Sequence, residues 1–143
     1  MHARTPLAWS LLQGARWFDR ALLASMATEG WQLTPAQSLV FAHLEQAGTR
    51  PAELARRLGT TRQATSELVA GLVRLGVLEM VDDPASRRGR LVRLTDDGRT
   101  LASAAARRLH ALEQELGRRI GPAGLAQLRA ALAADWGGPP EPG

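Results

Sequence analysis

At 143 residues, 45% hydrophobic and 22% charged, the chain has the length and composition of one globular domain that can bury a core without disulfides or metals. Cysteine is absent, which excludes disulfide staples, thiolate zinc sites, iron–sulfur clusters and thiol-based redox sensing together. The net charge of +4 is unevenly spread: residues 50–93 hold nine arginines against five acids, whereas the remainder balances at nine of each, so the whole excess lies on one central stretch, as expected of a segment that meets a polyanion.

The amino-terminal segment MHARTPLAWSLLQGARWFDR opens with a basic residue and an apolar run. Gln13, Arg16, Asp19 and Arg20 interrupt that run far short of a membrane span or signal core, so a helix of a cytoplasmic protein is expected, with no membrane partner. Leu7, Leu11, Ala15, Phe18, Leu22 and Met26 recur every three or four residues and predict one long amphipathic helix to about Thr28. Trp9 and Trp17 widen its stripe. So much apolar surface needs a cover that the short chain beyond it cannot supply, and a partner subunit is the expected one. Trp9, Trp17 and Phe18 suit core or dimer packing; Trp17 and Phe18 are also the candidates for a ligand crevice. After a break at Gly30 to Leu33, Thr34-Pro35 with Gln37 marks a second helix start. That helix is expected to run to about Ala47, with Leu39, Val40, Phe41 and Leu44 inward and Gly48 as its stop.

Two further helices follow, joined by a tight Gly-Thr turn. In PAELARRLG, Pro51 suits the first helical position, Leu54, Ala55 and Leu58 form the apolar side, and Gly59 ends it. From Thr60 to Gly76, Thr60 with Gln63 fits a capping box and Thr61 is a second possible N-cap. Ala64, Leu68, Leu72 and Leu75 form the expected buried stripe. Arg62, Gln63, Ser66 and Arg74 project from it, and Thr65 lies closer to it. Polar side chains at a helix start, beside exposed backbone N–H groups, suit phosphates and base edges. This is the pattern of a helix-turn-helix whose second helix can enter the DNA major groove. Val77 to Val81 and Leu91 to Leu94 flank the turn-rich DDPASRRGR and predict a hairpin, completing a winged helix. Arg87, Arg88 and Arg90 in that wing suit phosphate or minor-groove contact. Asp82 and Asp83 are explained by opening a turn before proline. Arg56 and Arg57 fit phosphate contact and solvent equally.

Thr95-Asp96-Asp97 caps another long helix, to Ile120, with Leu101, Ala105, Leu109, Leu112, Leu116 and Ile120 on one stripe. Gly121-Pro122 breaks it; Leu125, Leu128 and Leu132 start a last helix ending near Trp136, and GGPPEPG is expected to be a disordered tail. His43 and His110 stand one each on two helices and read as packing or surface residues. No serine, histidine and acid cluster emerges, so no enzyme is expected. The fold class is mainly α with a small β-hairpin wing. Its expected organisation is a winged helix-turn-helix lobe over 33–99, long helices at 1–32 and 100–136, and a tail at 137–143.

The segments LTPAQSLVFAHL, PAELARRLGTTRQATSELVAGLVRLGVLE and DDPASRRGRLVRLTDDGRTL, in this order, resemble the MarR family of bacterial transcriptional regulators over nearly the whole chain. The resemblance implies a homodimer whose first and last helices interlock, two recognition helices in successive major grooves, and two wings at the minor groove. A pseudo-palindromic operator is implied as well. Many relatives bind a small aromatic or phenolic effector between the dimerisation helices and the DNA-binding lobe, and it usually lowers DNA affinity. Matched residue by residue, the implied DNA contacts are Thr61, Arg62, Gln63, Thr65 and Ser66, with Arg88, and Arg87 or Arg90, as the wing arginine. Ser86 stands where relatives often carry an acid, and Glu67 where they carry a basic or neutral polar residue. The expected function is a dimeric regulator of double-stranded DNA, a repressor relieved by a small ligand, using a recognition helix at 61–75 and a wing at 82–91. It would need no metal or prosthetic group and would work in the cytoplasm, on the nucleoid when bound. The competing expectation is a winged-helix protein-interaction module in which Glu67 and Ser86 record lost DNA binding.

Overall fold

Three of the six helix starts among the described residues are set by threonine hydroxyls. In the computed structural model, which describes residues 4–143, the elements are α1 (Leu7–Thr28), α2 (Pro35–Phe41), α3 (Pro51–Leu58), α4 (Arg62–Arg74), β1 (Leu78–Asp82), β2 (Arg90–Leu94), α5 (Asp96–Ile120) and α6 (Pro122–Ala133). The first three residues of the expected 1–32 segment lie outside the described residues. Thr34 makes a full capping box on α2: the Gln37 N–H donates to its hydroxyl oxygen at 3.1 Å, and its own N–H donates to Gln37 Oε1 at 3.0 Å. Of the two candidate caps of α4 the structure uses Thr61, whose Oγ1 accepts from the Ala64 N–H at 3.1 Å. Gly59 closes α3 in the left-handed region, at φ 65°, a conformation that only glycine adopts without cost. The helix-turn-helix is therefore punctuated on both sides of its turn.

The chain forms two compact units, up to Leu109 and from His110 onward, with α5 contributing to both. In the first unit, Leu22 and Met26 of α1, Val40 of α2, Leu54 of α3, Val69 and Leu72 of α4, Val77, Leu78 and Val92 of the hairpin and Leu101 of α5 form one buried cluster. The hairpin is antiparallel, from Leu78 opposite Leu94 to Asp82 opposite Arg90. On its other edge, Val92 exchanges both backbone hydrogen bonds with Thr49, at 2.8 and 2.9 Å.

Four expectations are corrected. Helix α2 ends at Phe41, not Ala47, because the groups that would prolong it are bonded elsewhere: the His43 carbonyl accepts from Arg57 Nη1 at 3.0 Å, and the Glu45 N–H donates to Thr49 Oγ1 at 2.9 Å. Leu39 is exposed, and Val40 carries the core contact. The buried residues of α4 are Thr65, Val69 and Leu72; of the expected stripe Leu72 is buried, Leu68 packs half-buried against the core, Ala64 is half-buried and Leu75 is exposed. Helix α6 stops at Ala133; Trp136 lies beyond it, its Nε1 donating to the Ala131 carbonyl at 2.8 Å. Only the carboxyl-terminal part of α1 is buried: Leu7, Trp9 and Leu12 are exposed. Helix α6 has no buried residue, and Leu128, Leu132 and Trp136 are exposed. After Ala133 there is no further helix or strand.

Thr95 joins hairpin to α5. Its Oγ1 donates to the Gly76 carbonyl at 2.6 Å and accepts from the Gly98 N–H at 3.0 Å, while its own N–H donates to the Val77 carbonyl at 3.1 Å. Gly98 is buried so close beneath this strand start that a Cβ there would lie 2.0 Å from the Val77 oxygen. Gly98→Ala is therefore expected to destabilise the fold by about 1–3 kcal/mol or more, since backbone must move to admit the methyl. Urea unfolding measures this, and an unchanged midpoint would show that the junction yields freely.

Candidate nucleic-acid interface

The rotation of α4 decides what its amino-terminal end presents. Thr65 is 1% exposed, and its hydroxyl donates to the Thr61 carbonyl at 2.9 Å, so its burial leaves no polar atom unsatisfied. It is a packing residue of the helix start rather than an outward group. With Thr65 inward, Thr61, Arg62, Gln63, Ser66, Glu67, Ala70 and Arg74 are exposed. Four of the five matched positions on this helix thus reach solvent together. The first-turn N–H groups, which have no intrahelical acceptor, lie among them and favour a negative ligand.

The wing presents a second basic group. Arg87 and Arg88 are exposed and have no hydrogen-bond or ion-pair partner among the described residues. Arg90 is exposed as well, but its Nη2 donates to the Met80 carbonyl at 3.2 Å, which ties it back along the hairpin. The loop carrying Arg87 and Arg88 is folded around Asp83. The Asp83 N–H donates to the Gly89 carbonyl at 2.9 Å, the Ser86 N–H to the Asp83 carbonyl at 3.1 Å, and the Gly89 N–H to Ser86 Oγ at 3.2 Å. Ser86, where the family resemblance puts an acid in many relatives, here closes the loop on itself. Asp83 is 7% exposed, with Oδ1 accepting from the Ala85 N–H at 2.9 Å and Oδ2 accepting from Arg50 Nε and Nη2 at 2.9 and 2.7 Å. The Ala85 N–H, and after it the Arg50 guanidinium, holds the Asp83 carboxyl below its ordinary value against the opposing effect of burial. The turn role expected for Asp83 is present; its pairing with Arg50, 33 residues away, left no local signal.

The remaining arginines of the central stretch are neutralised. Glu53 accepts from Arg56 Nε at 3.0 Å and from Arg57 Nε at 3.0 Å, and these bonds, Arg56 first, hold its carboxyl below the ordinary value. Arg57 also reaches Glu45 Oε1 at 2.6 Å and the His43 carbonyl, which makes it a brace between the α2–α3 connection and α3. Glu45 and then Glu53 stabilise its charged form. Its side chain is 31% exposed against 76% for Arg56, so Arg56 is the more open of the two. Arg93 pairs with Glu79 at 2.7 Å. Among the described residues, the arginines of this stretch without an acidic partner are Arg62, Arg74, Arg87, Arg88 and Arg90, all on α4 or the wing. The net positive charge read from the sequence is thus delivered to two neighbouring elements.

An apolar cavity of about 220 Å³ lies elsewhere in the same unit, lined by Leu22, Met26, Phe41, Leu101 and Ala105, with Ser38 as a polar side chain. Trp17 and Phe18 do not line it; they pack edge to face with ring centres 5.0 Å apart. His43 is half-buried and His110 exposed, and no group of three or more potential metal ligands comes together among the described residues.

The MarR family sequence profile matches residues 31–89. An uncharacterized protein of Mycobacterium tuberculosis, Rv2011c, is 33% identical over 102 residues, 71% of this chain and 66% of that relative, so the match spans just under two thirds of the relative's length. Among solved structures, the reduced form of MarR from E. coli is similar with a TM-score of 0.76 and 26% identity, covering 92% of this chain and 96% of that one. The structure of RV1404 from Mycobacterium tuberculosis gives 0.72 and 25%, covering 88% of each chain. No helix among the described residues is long and apolar enough to cross a membrane.

Because the folded pKa values of Asp83 and Glu53 are depressed, their contribution to stability is present above the unfolded-state value, about 4, and is lost as pH falls through the lower folded values. Urea unfolding is expected to give a decline in stability below about pH 4, with Asp83→Asn flattening part of it. Parallel profiles for the two proteins would mean that Asp83 is not held in this way.

Proposed function

Since this chain belongs to the MarR family of winged-helix transcriptional regulators, we propose that it binds double-stranded DNA as a homodimer, and that it is a repressor relieved by a small ligand. The observation that carries the proposal is the placement of unpaired arginine: Arg62 and Arg74 on α4 and Arg87, Arg88 and Arg90 on the wing, while the other arginines of the stretch are held by acids. Guanidinium groups free of carboxylates release counterions when they meet phosphates, and this supplies most of the affinity. Arg62, Gln63 and Ser66, at the amino-terminal end of α4, are suited to base edges: an arginine to guanine O6 and N7, a glutamine to adenine N6 and N7. Glu67, exposed beside them, suits cytosine N4. The wing arginines follow the phosphates into the minor groove.

Dimerisation is assigned to the segments 4–32 and 100–136. Leu7, Trp9 and Leu12 on α1, and Leu128, Leu132 and Trp136 in and after α6, are large apolar groups that a second copy would remove from water. A two-fold dimer implies half-sites centred roughly 10 base pairs apart. The cavity beside Ser38 is below the roughly 300–1,000 Å³ of drug-sized pockets and suits a single-ring aromatic or phenolic effector. This reading involves no catalytic step, metal or prosthetic group, and places the protein in the cytoplasm, on the nucleoid when bound.

Fluorescence anisotropy on DNA from the gene's own upstream region, against shuffled DNA across a salt series, is expected to show tight binding saturating at one dimer per site. Arg88→Ala should weaken binding to all sequences and reduce the salt slope by roughly 1.8, about 0.9 for each of the dimer's two wings. Gln63→Ala should cost about 1–3 kcal/mol at particular base pairs and change preference there. Weak wild-type binding, equal on both DNAs and indifferent to salt, would retire the DNA reading in favour of a protein partner.

A further inference from the structure

We infer that Arg50 and Asp83 are positioning residues for the wing, acting on DNA only through Arg87 and Arg88; the DNA part of this inference rests on the function proposed above. Arg50 occupies the N-cap of α3, where a short polar side chain would bond back to the helix start. It makes no such bond. Its guanidinium instead spans to Asp83, with Nε and Nη2 on the same carboxylate oxygen. The other oxygen is taken by the Ala85 N–H, so both are committed.

Asp83 is the fixed point of the loop. Its N–H and carbonyl bond to Gly89 and Ser86, the residues that bracket Arg87 and Arg88. Whatever holds Asp83 therefore holds the start and the end of that segment. The residue before Arg50 grips the hairpin a second time, through the paired backbone bonds of Thr49 with Val92. Residues 49 and 50 thus fasten β2 by backbone and the wing base by side chain, and they lead directly into α3, which packs against α4. One attachment would leave the hairpin a pivot; two fix the direction of the wing relative to the recognition helix. Ser86 accounts for the closure of the loop tip but not for its direction.

Arg50 has a simpler use to be tested against this one. Its side chain is 58% exposed and would serve as an ordinary phosphate contact. The sign of one substitution separates the two. Asp83→Asn removes a negative charge near a DNA-facing surface, so charge alone predicts tighter binding. The brace predicts weaker binding, because the new amide still accepts from Ala85 but turns a donor toward Arg50, and the wing arginines lose their aim.

The experiment is anisotropy on the upstream DNA for wild type, Asp83→Asn, Arg50→Gln, Arg87→Ala/Arg88→Ala and the triple variant Asp83→Asn/Arg87→Ala/Arg88→Ala, with hydrogen exchange of the free proteins. Asp83→Asn and Arg50→Gln are each expected to weaken binding on the order of tenfold, about the worth of one wing contact, and the triple variant to bind no more weakly than Arg87→Ala/Arg88→Ala. In the free proteins, amides 85–89 should exchange several-fold faster in both variants while those of Leu54, Leu72 and Val92 keep their protection, which also establishes that the variants fold. Binding of Asp83→Asn equal to or tighter than wild type, losses that multiply in the triple variant, or unchanged exchange at 85–89 overturns the inference. If the wild type itself fails to bind DNA, the regulator reading falls first, and exchange alone decides whether the pair holds the wing.

Discussion

Three inward side chains, Thr65, Val69 and Leu72, set the rotation of α4 about its axis, and every outward group on that helix depends on them. A turn of one residue is about 100° on an α-helix, enough to exchange a buried stripe for an exposed one. Thr65 makes the chosen rotation tolerable. Its methyl packs while its hydroxyl is satisfied by the Thr61 carbonyl, in the same turn where the Thr61 side chain caps Ala64. Cap and rotation are thus one local arrangement, and it leaves Arg62, Gln63 and Ser66 together on the solvent side.

Charge in this lobe is sorted rather than spread. Glu53 and Glu45 hold Arg57 and, with it, the shape of the connection from α2 to α3; Glu79 holds Arg93 on the hairpin; Asp83 holds Arg50. Exposed pairs of this kind add little to stability individually. Their larger effect is on location, because each acid cancels an arginine where positive charge is not presented and leaves the excess on α4 and the wing. Opposite charges close in sequence, such as Glu53 with Arg56 and Arg57, announce that sorting at helical spacing. Pairs such as Glu79 with Arg93 follow only once the hairpin register is known.

The same division separates what the sequence made legible from what it did not. Thr34 with Gln37, Gly59 and the run DDPASRRGR are local chemistry, and they located the helix starts, the turn and the hairpin to within a residue or two. The end of α2 was illegible because Arg57 and Thr49, both beyond it, compete for the carbonyl and N–H that would extend it. The stripe on α4 was drawn to one side of its buried centre because Ala64 and Leu68 lie beside Thr65 and Val69, and periodicity does not rank an alanine and a leucine against a threonine whose hydroxyl finds an acceptor. Of the proposed interface, the outward placement of Arg62, Gln63, Ser66, Arg87 and Arg88 was expected from type and position, and all five are exposed. Arg50 with Asp83 was not, since neither neighbourhood hints at the other.

The bond pair between Thr49 and Val92 has a consequence for solubility. A two-stranded hairpin exposes two rows of unpaired backbone groups, and such edges recruit other strands. Here the edge of β2 is occupied at its buried centre by residue 49, so a foreign strand meets a blocked ladder there. The opposite edge belongs to β1, only five residues long and carrying Glu79 and Asp82, short and charged in the way that discourages pairing between chains. A protein that must project a hairpin into its surroundings can thus keep it from becoming a template for aggregation.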